Sequence, residues 1–131
     1  MKRIAIILAA LIVVCLSGCA KSSGETKKTV FEQFEDGMEQ AGLTYDEKVT
    51  MAADFVGAVE GYKYKFANGE KVEIYRFDEG SQAIQDATEN KSIYLESFGS
   101  IPAEINGNLA LLNSDGENGE RFLEIFSLIE P

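Results

Sequence analysis

No histidine occurs among the 131 residues, which removes the commonest general base and metal ligand at once. The two cysteines, Cys15 and Cys19, stand close to the N-terminus, too few for a sulfur-built metal site. No G-x-S-x-G is present to seat a serine nucleophile, and no G-x-x-x-x-G-K-[ST] or G-x-G-x-x-G to cradle phosphate. Carboxylates are plentiful, with 22 Asp and Glu against 12 Lys and Arg. Paired-acid hydrolysis would need two of them across a sizeable cleft, whereas most lie opposite apolar stripes, as solvated helix faces do. Asn113-Ser114-Asp115-Gly116-Glu117-Asn118-Gly119-Glu120 offers oxygen ligands at alternate positions, but not at the spacing of the twelve-residue calcium loop. A turn with capping carboxylates ahead of a helix explains the same residues without metal. The expectation is no catalytic residue, no metal site and no cofactor.

The middle of the chain is rich in aromatics: Tyr62, Tyr64, Phe66, Tyr75, Phe77, Tyr94 and Phe98. Two explanations stand side by side. They are core, or some of them form a recognition surface on an exposed sheet face or edge, where aromatics are favoured. Tyr62, Tyr64 and Phe66 are the candidate binding residues. Lys63 and Lys65, which alternate with them, would flank such a face or protect an edge strand from aggregation.

Cys19 is positioned by what precedes it. Lys2 and Arg3 form a short basic start, and Ile4 to Leu16 then run without a charge. That is about 13 residues, or roughly 20 Å as a helix, against a bilayer core of about 30 Å that needs about 20 residues. A basic start followed by a short apolar run is the plan of an export signal. Leu16-Ser17-Gly18-Cys19 comes directly after it.

This tetrapeptide resembles the lipobox of bacterial lipoprotein precursors: aliphatic, small, small, cysteine. The resemblance implies cleavage between Gly18 and Cys19, a thioether-linked diacylglyceryl group on the Cys19 sulfur, and often an acyl chain such as palmitate on its amino group. Each buried methylene contributes about 0.8 kcal/mol; one chain holds marginally, and two or three hold stably. A plain secretory signal with a chance cysteine and an uncleaved membrane anchor are the alternatives. Ala20 in place of aspartate leaves outer-membrane sorting open in a Gram-negative envelope. The Lys- and Glu-rich remainder is similar to small Gram-positive lipoproteins that pair a lipobox with one compact α+β domain, and no site residue is carried over from them.

Loss of residues 1–18, and with them Lys2 and Arg3, takes the formal charge from −10 to −12. Such a field repels nucleic acid. The expected partners are the membrane, through lipid on Cys19, and an envelope protein.

Residues 19–28 read as the lipidated cysteine and a polar tether, and 29–131 as one domain. Thr29 caps a helix whose Val30, Phe31, Phe34, Met38 and Ala41 recur at helical spacing up to Gly42. A second short helix is expected over Asp46 to Asp54. Tyr62 to Phe66 alternates as a half-buried strand, Asn68-Gly69 turns it, and Val72 to Phe77 returns. A helix near 80–90 buries Ala83, Ile84 and Ala87. The order then repeats: Ile101 to Ile105, Asn106-Gly107, Leu109 to Leu112, and a last helix carrying Phe122, Ile125, Phe126 and Ile129.

The expected fold is α+β, an N-terminal helix followed by two β-β-α units, with a four-stranded, mostly antiparallel sheet and helices on one face. Pro102 argues for an edge position of its strand. The expected function is a non-enzymatic binding or accessory module displayed from the membrane. The alternatives are a small carboxylate-dependent enzyme and a structural lipoprotein linking membrane to wall.

Overall fold

Thr29 opens the first helix, α1 (Val30–Gln40), through a reciprocal cap: its hydroxyl accepts from Glu32 N–H at 3.2 Å, while the Glu32 carboxylate accepts from Thr29 N–H at 2.7 Å. The computed structural model describes residues 26–131. The signal segment 1–18, the cleavage point at Gly18–Cys19, lipidation at Cys19 and most of the tether lie outside those residues.

The described chain is α+β, with helices α2 (Gln82–Asn90) and α3 (Gly119–Ser127) and a six-stranded sheet. The strands are β1 (Glu47–Thr50), β2 (Glu60–Lys65), β3 (Lys71–Arg76), β4 (Ser92–Leu95), β5 (Gly99–Asn106) and β6 (Leu109–Leu112). Their order is β1-β2-β3-β6-β5-β4, and every neighbouring pair is antiparallel. The four expected strands form its middle, β2-β3-β6-β5, and one short strand is added at each edge.

β1 occupies the segment expected to be helical. Pairing wins there because β2 offers an open edge: Asp46 N–H donates to Lys65 O at 2.8 Å and Met51 N–H to Gly61 O at 2.9 Å. Glu47 also lies opposite Lys65, with Nζ 2.9 Å from the carboxylate. Only a 3-10 turn, Ala53–Val56, remains of the helix.

Pro102 does not mark an edge, because β5 lies between β6 and β4. Ala103 N–H donates to Lys91 O on the β4 side. The Pro102 nitrogen therefore faces the β6 side, beyond Leu112, where β6 has already ended. The missing N–H costs no ladder bond.

Helices cover both faces, not one. The central strands are apolar on both sides, so each side must be covered. Val72, Ile74, Leu109 and Leu111 share a core with Phe31, Phe34 and Met38 of α1 and Phe122 and Phe126 of α3. On the opposite face, Tyr75, Phe77, Ala110 and Leu112 meet Ile84 and Ala87 of α2 and Ala53 and Val56 of the 3-10 turn. One amide ties the last residues to the first: Gln33 Nε2 donates to Lys28 O at 3.3 Å and Glu130 O at 3.2 Å, and Gln33 Oε1 accepts from Glu130 N–H at 3.0 Å. Among the described residues, no helix is long and apolar enough to cross a membrane.

Candidate functional site

The layer over the α2 face is built largely of small side chains, Ala53, Ala58 and Ala87 against Ala103 and Ala110. On the same face a cleft of about 600 Å³ lies open between the 3-10 turn and the β4–β5 turn. Its floor is the sheet itself, with Glu73 and Tyr75 of β3, Leu112 of β6 and Ile101 of β5. Met51, Ala52, Phe55 and Val56 form one wall and Leu95 to Phe98 the other. Phe55 and Phe98 stand on these walls with 76% and 81% of their surface exposed.

The floor carries a polar chain. Glu73 is the one buried charged residue among the described residues, at 8% exposure. Its Oε1 lies 2.9 Å from Lys63 Nζ, and its Oε2 accepts the Tyr75 hydroxyl at 2.9 Å. Strand geometry makes this arrangement: Glu73 and Tyr75 are two residues apart and point to the same side, and Lys63 is the partner of Glu73 in the β2–β3 register. Gly61 faces Tyr75 in the same register, and a Cβ there would collide with the Tyr75 ring. Glycine therefore lets the ring lie against β2. Burial, reinforced by the Glu73 charge and hydrogen bond, pushes the Tyr75 hydroxyl far above its ordinary pKa, so it remains a proton donor. With both oxygens engaged, Glu73 is a fixed acceptor and charge.

Tyr62, Tyr64 and Phe66 lie on the other face, inside or against the α1–α3 core. Tyr64 is fully buried, and its hydroxyl donates to Glu35 at 2.8 Å. Its ring packs on Phe34 and Tyr45, with centroids 5.7 and 5.0 Å away. Tyr62 meets Phe31 edge-on at 4.8 Å, and Phe66 meets Phe122 at 5.2 Å. Of the two explanations for these aromatics, the core explanation describes them. Lys63 projects from β2 on the α2 face, beside Glu73 but outside the cleft lining, and Lys65 pairs with Glu47.

The Asn113 to Glu120 stretch is held by one carboxylate from the first hairpin. Glu70 accepts from Asn118 N–H and from the Asn118 amide, both at 2.7 Å. Asn118 is the residue before α3, so Glu70 supplies the cap that this helix lacks from its own side chain. Among the described residues, no three carboxylates or cysteines converge as a metal cage requires.

Sequence reasoning passed over Phe55 and Glu73. A charge inside the apolar run Val72 to Phe77 was a signal for Glu73, because burial of a carboxylate demands partners. Phe98, between Ser97 and Gly99 in a turn, is a large ring where polar residues are the rule. Compared with known proteins, the chain matches no protein-family model, no curated protein and no solved structure.

Proposed function

We propose that this chain is an exported, lipid-anchored module of the bacterial envelope that binds a ligand without transforming it, and that the cleft between Phe55 and Phe98 is its binding site. The observation that carries the binding role is the pairing of two water-exposed phenylalanines with a floor on which the buried Glu73 accepts the Tyr75 hydroxyl and is ion-paired from behind by Lys63. Burying such a ring is worth about 1.5–3 kcal/mol. A fold that leaves two of them in water around one concavity has that energy left for a ligand. The anchoring role rests on Leu16-Ser17-Gly18-Cys19 after the apolar run.

Each half has its own test. Mass analysis of the native N-terminus is expected to find a diacylated or triacylated Cys19; an unmodified cysteine, or retention of Met1, overturns the anchor. A photoreactive phenylalanine analogue at position 98, activated in intact envelopes, is expected to give a discrete adduct. The same analogue at Leu128, exposed directly after α3, is expected not to give it. Identical adduct patterns from both positions overturn the cleft as the binding site.

A further inference from the structure

From the charges around the cleft we infer that its ligand is a small molecule with an apolar body and one cationic nitrogen, an inference that rests on the binding role proposed above. The charged side chains lining the cleft are Glu73 on the floor and Glu96 on the wall, and no lysine or arginine lines it. Lys63 lies on the far side of Glu73: in the strand register Glu73 sits between Lys63 of β2 and Leu112 of β6, and Leu112, not Lys63, faces the cleft. A carboxylate has about four lone-pair positions, so the Tyr75 hydroxyl on one Glu73 oxygen and Lys63 on the other leave acceptor capacity unused.

An anion entering here would meet the Glu96 carboxylate and a chain whose formal charge is −10, and the Lys63 ammonium near the floor is already paired with Glu73. A cation meets attraction from that carboxylate and that net charge. Phe55 and Phe98 add aromatic faces, and a positive charge over an aromatic face is stabilised more as water is excluded. The remaining lining, Met51, Leu95, Ile101 and Leu112, suits an apolar body. A volume of about 600 Å³ is that of a small-molecule site.

The test is calorimetric titration of the full chain in phosphatidylcholine vesicles, with protein-free vesicles as blank. The probes are benzyltrimethylammonium, phenylmethanesulfonate and benzyl alcohol, which share a ring and differ in charge. Saturable binding of the ammonium, about tenfold or more tighter than the sulfonate, is expected. It is expected to weaken about tenfold in the Phe55→Ala/Phe98→Ala double variant and also in Glu96→Gln. All three positions are exposed, so their melting is expected to match the parent. Equal or tighter sulfonate binding overturns the inference, as does ammonium binding that survives loss of both rings. If benzyl alcohol binds as tightly as the ammonium, the cationic preference falls while the cleft stands as the site. If no probe binds and the adduct at position 98 persists, the ligand class falls and the binding role survives.

Discussion

The two faces of the sheet are packed by different rules. On the α1–α3 face, Phe31, Phe34, Tyr64, Phe122 and Phe126 close the layer with large rings. Gly37 lets α1 approach α3 so closely that a Cβ there would collide with Ile125. The α2 face is covered mostly by alanines, and Phe55 and Phe98 extend past them into water. Large interdigitating rings leave no room for a guest, whereas short side chains leave the sheet partly bare. One face is therefore closed by rings from both helices, and the other keeps a concavity beside its core.

The largest effect that sharpens this contrast is expected from Phe34→Ala, which empties a fully buried site between α1 and β2. Urea unfolding is expected to show a loss of about 3–5 kcal/mol; a loss below about 1 kcal/mol would mean that this face is not the stabilising one. Next comes Glu73→Ala, which leaves the buried Tyr75 hydroxyl without its acceptor. A cost of about 1–3 kcal/mol is expected, with Glu73→Gln costing less because an amide oxygen still accepts. Equal losses in the two variants would remove the hydrogen bond from the account of the floor.

A smaller effect depends on pH. Burial pushes the Glu70 carboxyl up, but hydrogen bonds from Asn68 and from the Asn118 backbone and side chain outweigh it and hold the group below its ordinary range. A folded-state value below the unfolded one gives stability that is complete above the unfolded pKa and disappears as pH falls through the folded one. Glu70→Ala is expected to cost about 1 kcal/mol at neutral pH, as loss of a helix cap does. The gap between parent and variant is expected to narrow as acid unfolding curves enter the carboxylate range; a gap independent of pH would show that the carboxylate charge contributes nothing. The smallest effect is Phe55→Ala/Phe98→Ala, which is expected to move stability by no more than about 0.5 kcal/mol. A larger loss in thermal unfolding would show that these rings support the fold.

The central elements were legible because their patterns were strong. Thr29 as a cap, the alternation from Tyr62 to Phe66 and the turn residues at Asn68-Gly69 each point to a local geometry, and the structure has a helix start, a strand and a turn at these places, with Glu32 completing the cap. β1 and β4 are four residues long, too short for a period to show, and they form because β2 and β5 offer open edges. Two-sided coverage was written in Tyr75, Phe77, Ala110 and Leu112, which interleave with Val72, Ile74, Leu109 and Leu111. Alternating apolar residues on both sides of a strand require two layers, and reading each run as one apolar stretch concealed this. The cleft was less legible still. It lies between the 3-10 turn and the β4–β5 turn, and a gap between two turns far apart in the chain has no residue of its own in the sequence.

Because a single Gln33 amide reaches both Lys28 and Glu130, the chain enters and leaves the domain side by side. A short glycine-rich link from Pro131 back to Thr26 would close the backbone into a ring without crossing either layer. New ends could then be opened at Glu79–Gly80, an exposed turn before α2. The order in which the elements are synthesised is thus separable from the way they pack.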